Sequence, residues 1–319
     1  MSETEAQKRL EIKIRRELGP EVNKALADPK VVEIMVNPDG IIWVERSGKM
    51  KSVGKKSPST CESVIRTIAS YVGTTVSPDN PILECKLPID GSRFTGILPP
   101  ITSGPAFTIR KHSVKIFTIK NYVDNKTLSK KQADKLIQAI SNRKNILVVG
   151  GTGTGKTTFC NAIIYEISKV HKEHRIVIIE DTPEIQCNSE NHVKMQTFYK
   201  TSMKDLVKAT LRMRPDRIII GEVRSGEALD LLKSWNTGHP GGIATVHANS
   251  VLAALKRIED LIGEVTERPM QGLIAEAINI IIVIEKLKDS RKITGFSEVK
   301  GYFGGLYQLE NLLRGVKND

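Results

Sequence analysis

Asn145-Ile146-Leu147-Val148-Val149-Gly150-Gly151-Thr152-Gly153-Thr154-Gly155-Lys156-Thr157-Thr158 is the stretch on which the fold turns. Its first five residues make a short apolar run of the kind a parallel strand buries on both faces. Its end opens a segment in which Phe159, Ile163, Ile167 and Val170 recur at helical spacing. Between the two, Gly150 to Thr157 fits G-x-x-x-x-G-K-[ST], a phosphate-binding loop, in the strand–loop–helix context that the motif requires. Glycines let successive backbone N–H groups turn inward around a phosphate, and the helix N-terminus adds its positive dipole there. Lys156 is expected to neutralise the β- and γ-phosphates and the Thr157 hydroxyl to coordinate Mg²⁺, with Thr158 beside it at the helix start. ATP and Mg²⁺ are the ligands this pattern calls for. A purely structural glycine turn needs neither the lysine nor the hydroxyl.

Three further apolar runs end in groups that could act on a bound triphosphate. Arg217 to Ile220 leads through Gly221 to Glu222, a carboxylate suited to orienting water in line with the γ-phosphate and helping to remove its proton. Strands of this kind usually bring an Asp just before that glutamate; Gly221 stands there instead. Ile176 to Ile179 leads to Glu180-Asp181-Thr182-Pro183-Glu184, three acids in five residues. Such repulsion makes sense beside a cation or an arginine, and Glu180 is the leading candidate for a place just behind the metal's direct ligands or for a water contact. Ile243 to Val246 leads to His247, a candidate γ-phosphate sensor. Arg212, Arg214, Arg93 and Arg110 are candidate arginine fingers, each equally compatible with a structural salt bridge.

Around this centre, strand-like and helical segments alternate from Ser129 to the end, which predicts an α/β domain with a parallel, doubly wound sheet. The earlier part has a different texture. Helical patterns over Glu3 to Leu18 and Pro58 to Val72 accompany strand-like stretches, with Asn37-Pro38-Asp39-Gly40 as a turn between two of them. The expected organisation is a smaller N-terminal α+β domain over 1–115, a basic linker over 116–128 and the P-loop domain over 129–319. At 319 residues, 39% of them hydrophobic, the chain is long enough for two cores. Cys61, Cys85, Cys160 and Cys187 form no C-x-x-C pair, so four reduced thiols are expected rather than a zinc ribbon or redox pair. No apolar run is long enough to span a membrane and the start of the chain is charged, so a cytoplasmic protein is expected, touching a membrane only peripherally. A formal charge of +12 asks for a negative partner, and anionic lipid, nucleic acid and nucleotide all qualify. Aromatic residues, at 5%, do not interleave with the lysines, which argues against a single-strand stacking platform.

Taken together, GGTGTGKT, IEDTPEI, LRMRPDRIIIGEVR and TGHPGGIATVHANS resemble the Walker A, Asp box, Walker B and His box of the secretion traffic ATPases. The set is most similar to the type IV secretion branch, and within it to the TrbB-type conjugative-transfer ATPases; FTIRK in the first domain fits too. The resemblance runs from VVEIMVNPDG onward. It implies a hexameric ring of RecA-like P-loop domains with nucleotide between N- and C-terminal domains, working with inner-membrane secretion components in pilus biogenesis or substrate transfer. It also implies that Lys156 and Thr157 hold phosphate and Mg²⁺, that Glu222 is the catalytic carboxylate, that His247 is the His-box sensor, and that Arg93 and Arg110 approach the nucleotide. Type II assembly ATPases are similar but usually carry a tetracysteine motif absent here, and pilus-retraction relatives differ before the Walker B strand. The alternatives are a pilus-assembly or type II motor of the same superfamily, a nucleotide-gated switch, or a DNA translocase.

Overall fold

In a computed structural model, which describes residues 5–46, 48–111, 116–198, 200–288 and 290–313, the chain divides into two compact units, Met1–Val114 and Lys115–Asp319. The first contains α1 (Glu5–Ala27), β1 (Val31–Val36), β2 (Ile41–Arg46), β3 (Lys49–Lys55), α2 (Pro58–Tyr71), β4 (Ile82–Lys86), β5 (Arg93–Ile97) and β6 (Ala106–Arg110). Its strands form a sheet in the order β3-β2-β1-β6-β5-β4, antiparallel throughout. The helices cover one face. Ile14, Leu18 and Val22 from α1 and Val64, Ile65 and Ile68 from α2 are buried with Ile34, Ile42, Phe94, Phe107 and Ile109 from the strands. Gly19 leaves helical geometry (φ 74°, ψ 172°) just before Pro20, so α1 is two helical pieces joined at a kink, as Gly-Pro predicts.

The second unit continues with α3 (Ile119–Asp124), α4 (Lys130–Ser141), β7 (Ile146–Val149), α5 (Lys156–Val170), β8 (Ile176–Glu180), β9 (His192–Gln196), α6 (Met203–Thr210) and β10 (Arg217–Ile220). It ends with α7 (Glu227–Asn236), β11 (Ile243–Val246), α8 (Val251–Gly263), α9 (Gln271–Ala277), β12 (Ile280–Lys286), β13 (Arg291–Phe303) and β14 (Leu306–Asn311). Among the described residues, these strands form one sheet in the order β14-β13-β12-β7-β11-β10-β8-β9. From β12 to β9 all neighbours are parallel. The expected parallel sheet is therefore mixed, because β13 and β14 add antiparallel strands at one edge. Apolar strand runs sort their side chains to two cores by simple alternation. Ile146 and Val148 of β7 pack with Phe159 and Ile163 of α5 and Ile140 of α4. Leu147 and Val149 pack on the other face with Leu255, Ile258 and Ile274. Each such buried side chain stabilises the unit by roughly 1.5–3 kcal/mol.

The linker expected over 116–128 is instead partly helical. Thr118 caps α3 in a reciprocal box with Asn121, and Ile119 and Tyr122 are buried, the Tyr122 ring edge-on to Phe159 at 4.9 Å. Short helices of this kind escape periodicity because they offer fewer than two turns of pattern. By contrast Ser129, with Gln132 three residues on, is a local capping pattern, and it caps α4 with a reciprocal box.

At the N-terminal end of the parallel strands two polar side chains tie the layers together. Asn145 Oδ1 accepts from the N–H groups of Gly241 (2.7 Å) and Gly242 (2.9 Å), while its amide donates to Ala277 O at 2.7 Å. Arg217, 1% exposed, donates to Gly241 O, Ile140 O and His174 Nδ1. Burial, with Arg143 nearby, pushes its guanidinium down to about 10. Asn145→Ala leaves three buried backbone groups without partners and is expected to cost about 3 kcal/mol. Urea denaturation checks this; an unchanged midpoint contradicts the pinning role.

Candidate functional site

The sheet places the motif-bearing strand ends side by side. β7 has β11 as a neighbour, then come β10 and β8, so the loop after β7, His247 after β11, Glu222 after β10 and Glu180 at the end of β8 share the C-terminal edge where open α/β sheets bind ligands. Gly155 caps α5 in the left-handed region (φ 97°), which lets the loop turn directly into the helix; a side chain there is strained. Outside the loop, Arg291 Nε donates to Thr154 O at 2.9 Å, bracing the turn from β13.

Lys156 opens α5 and is only 8% exposed. Its ammonium donates to Gly150 O (2.9 Å) and Gly151 O (3.0 Å) and meets His247 Nδ1 at 3.2 Å. Burial lowers its pKa from the ordinary lysine range, opposed by the Glu222 carboxylate. Lysine only donates, so His247 Nδ1 accepts and the ring proton sits on Nε2. That Nε2 lies 2.8 Å from Glu222 Oε1. Burial and then the Lys156 charge hold the imidazole below its usual pKa, with Glu222 pulling the other way. Lys156, His247 and Glu222 thus form a continuous polar chain across three strand ends. Glu222 Oε2 also accepts from Arg224 Nη2 at 2.6 Å.

The acidic turn is arranged differently from expectation. Glu180 is 3% exposed and spends one oxygen, Oε1, on the N–H groups of Glu184 and Ile185, both at 2.8 Å. Burial raises its carboxyl pKa against those two bonds. It is Glu184 whose carboxylate reaches the Thr157 hydroxyl, at 3.4 Å. Glu180 also explains Gly221. A Cβ at Gly221 stands 2.9 Å from Glu180 Cγ, so the residue before Glu222 is a glycine because a buried carboxylate side chain packs against it. Asp181 takes the Thr197 hydroxyl at 3.1 Å and faces Arg224 Nη1 at 3.4 Å.

The candidate fingers separate by location. Arg212 and Arg214 are exposed and precede β10, at the end of that strand opposite Glu222, so within this chain they do not join its own phosphate loop. Arg93 and Arg110, in the first unit, are directly paired across β5 and β6, with Thr95 opposite Thr108 beside them. Two like charges in register repel, and Glu33 approaches Arg110 only to 4.0 Å. The two guanidinium groups thus start from directly opposite positions on one face of the sheet. Arg224 and Arg291 are not marked as site residues by the sequence alone, and Glu184 is marked only as one of three acids behind Glu180; for Arg224 a signal is present, since it lies two residues after Glu222 in the motif itself.

A second group of metal-binding residue types, His171, Glu173 and His174, lies away from these strand ends. Its imidazole rings are stacked 4.2 Å apart and parallel within 4°, so their in-plane lone pairs do not converge on one ion.

A family model described as Type II/IV secretion system protein matches residues 17–304. The chain is 45% identical to the conjugal transfer protein TrbB of Rhizobium radiobacter, over 98% of this chain and 97% of that protein. It is 31% identical to the type IV secretion system protein VirB11 of Bartonella henselae, over 86% and 89%. The crystal structure of the pilus retraction motor PilT with bound ADP superposes with a TM-score of 0.66 at 21% identity, covering 86% of this chain and 81% of that one. The Legionella pneumophila ATPase DotB gives 0.65 at 19%, covering 90% and 80%. At these identities the likeness to the two structures is one of fold.

Removing the Lys156 charge favours the imidazolium form of its neighbour. Lys156→Ala is therefore expected to raise the His247 pKa, read by NMR titration of the ring; a midpoint unchanged or lowered contradicts the contact.

Proposed function

Because this chain belongs to the Type II/IV secretion system protein family, we propose that it hydrolyses ATP at the strand-end site and uses the energy to drive a type IV secretion or conjugative transfer machine. The observation that carries this reading is the chain from Lys156 through His247 to Glu222. It joins a phosphate-binding cation, a group able to respond to it, and a carboxylate at the ligand-binding edge of the sheet.

In this proposal the backbone N–H groups from Gly150 to Thr158 and the Lys156 ammonium hold the β- and γ-phosphates. Lys156 exchanges the Gly150 and Gly151 carbonyls for phosphate oxygens, which relieves the cost of keeping an ammonium buried on neutral acceptors. Glu222 orients the attacking water and takes its proton at a carboxylate oxygen. His247, bonded to both groups, follows whether Lys156 is turned to phosphate. Around Thr157 the hydroxyl and the Glu184 carboxylate form a hard oxygen donor set that fits Mg²⁺. Thr157 and Glu184 would hold that ion, whose charge would offset that of the phosphates. Glu180 supports this edge by fixing the turn that carries Glu184. Arg93 and Arg110 are assigned to anionic contact with nucleotide, supported by their cross-strand pairing.

The same proposal makes the working form a homo-oligomer, a hexameric ring as the resemblance implies, acting with inner-membrane secretion components from the cytoplasmic side. No helix among the described residues is long and apolar enough to cross a membrane. Contact with anionic lipid is supported by the exposed side of α1, where Lys8, Arg9, Lys13, Arg15 and Arg16 surround Ile12, itself 69% exposed.

Lys156→Ala is expected to abolish ATP binding or hydrolysis, whereas Glu222→Gln keeps binding and loses turnover by about a hundredfold or more. Steady-state phosphate release and binding of a fluorescent ATP analogue measure the two properties; a wild-type rate in Glu222→Gln overturns its assignment. Sedimentation with Mg-ATP is expected to give a species larger than one chain, and a monomer at micromolar concentration contradicts the ring.

A further inference from the structure

We infer that Arg224 is a positioning residue for ATP hydrolysis, setting the plane and direction of the Glu222 carboxylate; this rests on the ATPase reading above. A carboxylate held by one donor on one oxygen still rotates about its last side-chain bond. Glu222 is held on both: His247 Nε2 reaches Oε1 at 2.8 Å and Arg224 Nη2 reaches Oε2 at 2.6 Å. Two donors on different oxygens fix the plane, and the lone pairs they leave determine where a bound water can sit.

An arginine whose side chain is 54% exposed makes an ordinary surface ion pair of small worth unless something holds it in place. Here the backbone does. Glu227, 5% exposed in the first turn of α7, accepts from the N–H groups of Arg224 (2.7 Å) and Ser225 (3.1 Å) and from the Ser225 hydroxyl. Burial works to raise the Glu227 carboxyl pKa, but these bonds outweigh it and hold it below its ordinary value. On the other side, Val223 N–H donates to Thr245 O, tying the segment to β11. The guanidinium therefore projects from a fixed point. Its second terminal nitrogen faces Asp181 Oδ2 at 3.4 Å, beyond the end of β8. One planar cation thus spans the carboxylates beyond two neighbouring strands, a geometry that a lysine does not reproduce. Both carboxylates are solvent-accessible and neither lies in a core.

The test is steady-state ATPase kinetics of the full chain with Mg-ATP, alongside binding of a fluorescent ATP analogue and a thermal melt. Arg224→Gln is expected to lower kcat about tenfold or more, since small misplacements of a reacting group have effects of that size, with KM and analogue affinity within about twofold, as for loss of an interaction that matters to the chemical step. Arg224→Lys recovers only part of the rate. In a Glu222→Asp background, where a carboxylate is kept but moved out of reach, the same Arg224→Gln change is expected to cost under a third of its wild-type fold-loss, because the two residues act as one unit. A wild-type kcat in Arg224→Gln, full rescue by lysine, or equal losses in both backgrounds overturns the inference while leaving the ATPase reading intact. Full turnover in Glu222→Gln instead removes the site reading, and this inference with it.

Discussion

The ammonium of Lys156 is drawn out of water into a ring of backbone carbonyls and one imidazole nitrogen, and the C-terminal edge of the sheet is organised around that charge. A buried cation is costly unless anions or oriented dipoles compensate it. Here the compensation is graded. Two neutral carbonyls touch it, and a carboxylate stands one imidazole away. Phosphate is a better acceptor than either carbonyl, which is why the proposed mechanism has the ammonium exchange these carbonyls for phosphate oxygens. The single proton on His247 makes the link directional, with lysine donating to the ring and the ring donating to Glu222.

Holding that edge in register is the task of the opposite one. Asn145 and Arg217, both buried, tie β7, β10, the loop before β11 and the ends of α4 and α9 into one polar knot. The four-residue strands between knot and site are buried along their whole length and, Arg217 and Thr245 apart, apolar; such runs bury equally well after a one-residue slip, so the hydrogen bonds of the knot help to fix their register. A strand slip that moved Glu222 away from His247 would also break the knot, and stability and site geometry are therefore set by the same short elements.

How much of this the sequence announces depends on whether a residue's partners are local. β7, β8, β10 and β11 are continuous apolar runs, and the phosphate loop and the cap at Ser129 are local patterns, so all were legible. β9, with His192, Lys194 and Gln196 alternating along an edge, and the long polar hairpin of β13 and β14 owe their strand state to pairing with distant neighbours. In the acidic turn, the sequence marked three carboxylates and put Glu180 first. Only the fold assigns them, turning Glu180 inward to hold the turn, Glu184 toward Thr157 and Asp181 toward Arg224. Gly221 looked like a departure from a motif; it is the space that Glu180 occupies.

The central claim is that Lys156, His247 and Glu222 act as one unit on a bound triphosphate. A crystal structure with Mg²⁺ and a non-hydrolysable ATP analogue tests it most directly. The account predicts Lys156 Nζ on phosphate oxygens rather than on Gly150 and Gly151, Thr157 on the ion, and Glu222, still bonded to His247, facing the γ-phosphate across a water. Phosphates bound away from Gly150 to Thr157, or a Glu222 turned from the γ-phosphate with Lys156 still on the loop carbonyls, would contradict it.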